Sequence, residues 1–352
     1  MKHVFIQHSN ITIISSFNTV KEALDRGDEV IIIMSRKIPY EFFEGRVKVY
    51  DFFELFKEDR DKAKGYDGFT IGRFIDYIGN FKRYIEHMKE TVDTIVENED
   101  FLLYTANNNQ PVSEVFLDHK KCVGYYYIEE GTMSYTPWPQ LYKITCSKRR
   151  KGRRFLYSLF GIKMYYHLEI TKKFLGTIGI SKEAFDWEEW KDEKHIITDL
   201  TSYKEVIKTK ILPYDIIIVT SMSGSDAQTI IKGIDVIFEH IAKKYPEKKV
   251  AIKMHPHDFS FEREKVCEVY NYIEKQYKSY SATGLDVNYS LEAAIFLNHP
   301  VIYSVYIPSS VSVYSIIFSG NTYLLVQKGE DSFVKEYTSY HKMIADYYGG
   351  DQ

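Results

Sequence analysis

Three short constellations in this chain have the residue types and spacing for acid–base and anion-handling chemistry. The first is Glu129-Glu130-Gly131, directly after the strand-like run KKCVGYYYI. Adjacent carboxylates at the carboxyl end of a parallel strand project into the crevice where open α/β sheets bind ligands. A carboxylate there can take a proton from an attacking hydroxyl, the more readily if burial or a like-charged neighbour raises its pKa. Gly131 permits the tight turn that exposes the pair. The plainer reading is an ordinary charged turn after a strand. The second constellation is Lys253-Met254-His255-Pro256-His257, following the apolar Val250–Ile252. It sets a cation and an imidazole at a strand end, where Pro256 stops ladder hydrogen bonding and stiffens the position of His255. His255 can then bond to, or protonate, a departing phosphate. Zinc is a poor reading of His255 and His257, because no further ligand is spaced nearby. The third is Ser309-Ser310 in YIPSSVSVYS, where hydroxyls and backbone N–H groups at a turn can hold an anion. The loop SMSGSD, with Ser223 and Gly224, is a second site of that kind, and its Asp226 can equally be a helix N-cap.

These residues need elements to hold them at one edge. Short β-branched runs mark strands at His3–Gln7, Glu29–Met34, Val47–Tyr50, Phe101–Thr105, Lys121–Ile128, Asp215–Thr220, Val250–His255, Val301–Ser304 and Thr322–Val326. Amphipathic stretches at Thr70–Glu97, Asp226–Lys244, Phe261–Tyr277 and Ser332–Tyr348 mark helices between and after them. Strands separated by helices imply parallel sheets and an α/β architecture. Asp186–Lys210 is polar and reads as a connector, with a second α/β series opening at Tyr214. The expected divisions are residues 1–205, residues 206–330 and a final helical segment, 331–352, with a cleft between the two α/β halves.

Composition removes several classes of function. The chain has 352 residues, 46 Lys+Arg against 49 Asp+Glu, and a net charge of −3, so it lacks the basic footprint of a general nucleic-acid binder. Its three cysteines are far apart and form no CxxC, which argues against structural zinc and against a disulfide scaffold. No leader-like apolar core follows the first residues, and the longest apolar runs, such as Val30–Met34, fall far short of the roughly 18 residues of a membrane span. A cytoplasmic protein is the expectation. Aromatic residues reach 16%, enough for a large mixed core or for surfaces that stack on sugars. Several flank the motifs: Tyr125–Tyr127, Tyr135, Trp138, Tyr303, Tyr306 and Tyr314. The polar strand-end segments His8–Asn10 and Asn107–Asn109 can touch acceptor hydroxyls, with Asn10, Asn107 and Trp138 as the candidate contacts. The block Lys148–Arg154 places six basic residues beside an aromatic stretch; it reads as a solvated loop or as a patch drawn to anionic lipid.

The order of the three constellations, split over two α/β halves, resembles the bacterial sialyltransferases of the GT-B fold, the group of lipooligosaccharide sialyltransferases and capsule polysialyltransferases. That group carries an acidic D/E-D/E-G motif, then an HP motif, then a serine pair, which read here as Glu129-Glu130-Gly131, His255-Pro256 and Ser309-Ser310. The resemblance covers the chain in layout and about ten residues in identity. It implies two Rossmann-like domains, with the C-terminal helix crossing back to the first. It also implies Glu129 as catalytic base beside Glu130, and His255 holding or protonating the donor phosphate. Ser309 and Ser310 would bind that phosphate and Glu292 the ribose. Several relatives have Asp in the acidic motif, so the longer Glu leaves open which carboxylate reaches the acceptor.

The implied reaction moves sialic acid from CMP-sialic acid to a hydroxyl of a bacterial surface glycan, with inversion. One phosphate on a tertiary anomeric carbon leaves through an oxocarbenium-like transition state and needs no divalent metal to neutralise a diphosphate. The sequence Asp59-Arg60-Asp61 sits in a charged run and reads as a solvated helix end, not a metal site. Two other readings stand beside this one. The first is a GT-B transferase of another nucleotide-activated donor, a different nonulosonic acid or a polyol phosphate. The second is a non-catalytic glycan- or nucleotide-binding protein.

Overall fold

The computed structural model describes residues 1–35, 42–43, 45–64, 71–108, 110–145, 154–155, 158, 163–166, 168–208, 210–220, 226–255, 258–259, 262–305, 311, 314–315, 318 and 322–325. The chain divides into two units, Met1–Tyr203 and Lys204–Gln352. Among the described residues, the first contains β1 (Lys2–Gln7), β2 (Glu29–Met34), β3 (Lys48–Asp51), β4 (Phe101–Thr105), β5 (Cys122–Ile128), β6 (Phe174–Gly179) and β7 (His195–Ile197). All are paired in parallel, in the order β3-β2-β1-β4-β5-β6-β7. The second contains β8 (Ile216–Thr220), β9 (Val250–Lys253), β10 (Thr283–Gly284), β11 (Val301–Val305) and β12 (Thr322–Leu325). These are again parallel, in the order β10-β9-β8-β11-β12.

The two orders follow one rule. In each sheet the first strand is central, the chain steps outward on one side, and then returns to build the other side. The order therefore reverses between β1 and β4, and again between β8 and β11. Open α/β sheets bind ligands at the carboxyl ends of strands beside such a reversal. The central strands β1 and β8 are buried along their whole length; β8, IIIVT, is almost wholly aliphatic, whereas β1, KHVFIQ, also buries Lys2, His3 and Gln7.

Helix starts are set by caps. Ser9 closes a reciprocal box with Thr12 and opens the helix Asn10–Asp25. Asp226 accepts from the Thr229 N–H at 2.7 Å and opens Ala227–Lys244. The latter helix buries Ile230, Ile234, Ile237 and Ile241, spaced to share one face, in one core with Ile216, Ile218, Val250 and Ile252.

Several expectations are corrected here. The stretch Asp186–Lys210 is not a plain connector: it holds a short 3-10 turn at Glu188–Trp190, the strand β7 and the helix Thr201–Ile207. β6, β7 and β10 had no counterpart in the strand reading. The strand expected at Val250–His255 ends at Lys253. Asn10 lies in the first turn of a helix, not in a loop. The helix expected at Ser332–Tyr348 lies outside the described residues.

β6 enters the sheet through an irregularity. Tyr125 pairs with Phe174 and Tyr126 with Gly176, so Leu175 is the extra residue of a bulge. Gly176 has φ +136, and a Cβ on it would overlap the carbonyl oxygen of Lys194. Only glycine meets both demands. Gly176→Ala should therefore cost about 2 kcal/mol or more, read as a lower thermal midpoint, whereas Gly27→Ala, where a Cβ meets nothing within 4 Å, should cost less. Equal midpoints for the two variants would contradict this reading.

Candidate active site

At the carboxyl edge of the first sheet, β5 runs into Glu129 and Glu130, and the structure gives the two carboxylates different surroundings. Glu129 is fully buried. Its Oε1 accepts from the Tyr135 hydroxyl at 2.6 Å and its Oε2 from the Ile180 N–H at 2.8 Å. Its backbone is held too, with the N–H donating to the Ile178 carbonyl and the carbonyl accepting from Ser15 Oγ. Gly131, at φ 133, then turns the chain into the 3-10 segment Thr132–Tyr135, which returns Tyr135 to Glu129. The Gly131 turn thus does not expose both carboxylates of the pair: the Glu129 side chain ties the end of β5 to the following turn and to the end of β6.

Glu130 is the carboxylate at the edge, 18% exposed. Its Oε2 lies 3.1 Å from His8 Nε2 and accepts from Asn107 Nδ2 at 2.9 Å. His8 follows β1, Asn107 follows β4, and Glu130 follows β5, so three adjacent strand ends converge on one oxygen beside the order reversal. Asn107 is buried, and among the described residues its Oδ1 has no hydrogen-bond donor. Its amide N–H makes it a partner of Glu130. The rest of that asparagine run serves elsewhere: Asn108 exchanges hydrogen bonds with the backbone of Glu169, and Asn109 lies outside the described residues.

The flanking aromatics are mostly core. Tyr125 and Tyr127 are buried, and both hydroxyls donate to the Glu169 carbonyl. Trp138 packs against Trp187 and Trp190, with ring centroids 5.1 and 5.5 Å away, which makes it part of an aromatic cluster. Tyr303 and Tyr314 are buried in the second unit. Arg154, the last residue of the basic block, forks onto the Glu169 carboxylate at 3.0 and 3.3 Å over the Tyr166 ring. The rest of that block lies outside the described residues. Asp59 and Asp61 lie on the helix Lys57–Lys64, where Asp59 meets His87 Nδ1 at 2.8 Å.

At the carboxyl edge of the second sheet, β9 ends in Lys253 and leads to Met254 and His255. Lys253 is buried, donates to the Asp286 carbonyl and lies 5.4 Å over the Phe259 ring. His255 is half-buried, and its N–H donates to Thr220 Oγ1 at 3.1 Å at the end of β8. The segment is pinned from below: the Asp258 N–H donates to the His255 carbonyl, and Asp258 forms a buried ion pair with Lys265 at 2.8 Å. Tyr270 joins the two strand ends, accepting from the Met254 N–H and donating to the Leu285 carbonyl. Glu292 sits in the first turn of the helix Leu291–Asn298, capped by Ser290, and its charge acts on Lys253. Pro256, Ser223, Gly224, Ser309 and Ser310 lie outside the described residues; their segments follow β9, β8 and β11 in the chain.

Sequence reading missed Thr220, Asp258 and Asp286, which position the Lys253–His255 segment. Thr220 alone carried a signal, as the polar residue closing an otherwise aliphatic strand.

No family model and no curated protein matches this chain. Solved structures do. A sialyltransferase from Photobacterium damsela superposes with a TM-score of 0.53 at 10% identity, over 99% of this chain and 79% of that one. A UDP-N-acetylglucosamine 2-epimerase from Rickettsia bellii gives 0.43 at 10% identity, over 100% and 88%. A glycosyltransferase from Rickettsia africae gives 0.39 at 10% identity, over 99% and 90%. The likeness to the first, together with the two parallel sheets, makes this an α/β chain of the GT-B type with two Rossmann-like sheets.

Burial pushes the Lys253 ammonium down to about 8, against the attraction of the Asp286 and Glu292 carboxylates. The unfolded chain keeps that lysine near 10.4, so between these values it binds more protons than the folded chain and stability rises with pH. Lys253→Met should abolish that rise, a change on the order of 3 kcal/mol between about pH 8 and 10.5. Urea unfolding across that range measures it, and parallel pH curves for wild type and variant would refute the burial argument.

Proposed function

We propose that this chain is a glycosyltransferase that moves sialic acid from CMP-sialic acid to a hydroxyl of a bacterial surface glycan, with inversion and without a divalent metal. The observation that carries the reading is the convergence of His8 and Asn107 on Glu130 at the carboxyl edge of the first sheet. A partly exposed carboxylate, held there by two donors, is the group a glycan hydroxyl needs as proton acceptor.

In the proposed step, Glu130 takes the hydroxyl proton as the oxygen attacks the anomeric carbon of the donor. The bond from that carbon to the phosphate oxygen breaks, and its electron pair leaves with CMP. In this proposal Lys253 and His255 supply positive charge and a proton donor for the departing phosphate, and Glu292 takes a ribose hydroxyl. Ser309, Ser310, Ser223, Gly224 and Pro256 belong to the same donor site in this reading. The likeness to a sialyltransferase of known structure supports it at the level of fold. The acceptor belongs to capsule, O-antigen or lipooligosaccharide, handled at the inner face of the cytoplasmic membrane, with the basic block around Lys148–Arg154 as the lipid-facing element.

A donor screen with nucleotide release as readout tests the reading: CMP-sialic acid should release CMP with added glycan acceptors in the presence of a chelator, and UDP-sugars should not react. Preferred turnover of a UDP-sugar, or strict dependence on magnesium, would overturn the sialyl assignment. Glu130→Gln should lower transfer by about 10²- to 10⁴-fold with CMP affinity retained. Glu129→Gln should keep most of the activity, since an amide there can still accept from Ile180 and donate to the Tyr135 hydroxyl. The reverse pattern would return the base to Glu129.

A further inference from the structure

His8 is a 7%-exposed histidine whose place is set by two local devices. It directly follows the central strand β1, and its backbone N–H reaches Thr12 Oγ1, the same hydroxyl that closes the capping box with Ser9. The ring is therefore carried on a rigid strand-to-helix junction, just ahead of the positive end of a 16-residue helix. From there Nε2 points at Glu130 Oε2. Asn107 aims its amide N–H at the same oxygen, an orientation that the flipped amide, with Oδ1 facing the carboxylate, would lose.

We infer that His8 is a positioning residue for Glu130: its Nε2–H donates to Oε2, fixes the carboxylate plane and favours the charged form of the group. This rests on the transfer reading above, with Glu130 as base. It inverts the arrangement in which a carboxylate orients a histidine base; here the histidine orients the carboxylate. Hydrogen bonds to the charged form favour it, so the carboxylate is ready to accept a proton without first losing one. Among the described residues, its titratable neighbours include His8, from the end of β1, and Glu129, one residue back in the chain; Asn107, from the end of β4, is neutral.

Three measurements test this. In the wild-type chain, long-range proton–nitrogen NMR of His8 should show the Nε2–H tautomer above pH 7; the Nδ1–H tautomer would overturn the inference. Next, the Glu130 carboxyl carbon, assigned by its loss in Glu130→Gln, should titrate about one pH unit higher in His8→Leu and near its wild-type position in His8→Gln, whose amide still donates. In turnover, His8→Leu should lower kcat roughly 10- to 100-fold with the donor KM unchanged, and His8→Gln should recover most of it. Identical Glu130 titrations in wild type and His8→Leu would overturn the inference whether or not the chain is a transferase. Correct titrations without release of any nucleotide would instead overturn the transfer reading and leave the positioning intact.

Discussion

The fully buried Glu129 carboxylate is the constraint on which the carboxyl edge of the first sheet is built. A carboxylate removed from water is tolerated only when donors replace the lost hydration, and here the Tyr135 hydroxyl and the Ile180 N–H do so. Those two donors lie on the turn after β5 and at the end of β6. Satisfying one charge thus fixes three pieces of chain against each other. Glu130 is the next residue, and with its predecessor immobile it has little freedom in where its side chain starts. His8 and Asn107 then need to correct only the last bonds of its path.

At the carboxyl edge of the second sheet a buried cation poses the opposite problem, and it is met less completely. Lys253 is as buried as the core residues around it; its ammonium donates to the Asp286 carbonyl, lies over the Phe259 ring and feels the pull of the Asp286 and Glu292 carboxylates. The ammonium is consequently held near the point of losing its proton, whereas Glu130 has direct donors on one oxygen. The difference follows from location. β5 ends under a turn rich in hydrogen-bonding groups, while β9 ends among Phe259, Tyr270 and Met254, which exclude water without replacing it.

How much of this was legible in the sequence depends on the range of the forces involved. β2, β8, β9 and β11 were legible as apolar, largely β-branched runs, β4 and β5 as aromatic-rich ones, and β1 by its central Val4-Phe5-Ile6. β6, FLGTIG, and β10, Thr283–Gly284, were not: glycine at a bulge or close approach looks like a turn until its neighbours are known. β7 was hidden by its polar flanks, since an edge strand of three residues needs little apolar surface. The helix Asn10–Asp25 was hidden because it opens with the β-branched run ITII, and its capping box uses Thr12 in place of the usual Glu or Gln.

The acidic pair was legible as a pair and illegible as individuals, and the reason is general. Which of two adjacent carboxylates is exposed depends on donors far along the chain: Ile180 is 51 residues from Glu129, and His8 precedes Glu130 by more than a hundred. Nothing within the tripeptide carries that information. The same reasoning limits what the aromatic excess can mean. Tyr125 and Tyr127 place their rings in the core and their hydroxyls on one backbone carbonyl, and Tyr135 uses its hydroxyl to satisfy Glu129. A phenylalanine in any of the three positions would fill the volume but strand the hydroxyl's partner. The excess of tyrosine near the motif is thus an expression of buried polar chemistry at a strand end, where apolar packing and hydrogen-bond demand fall on the same residue.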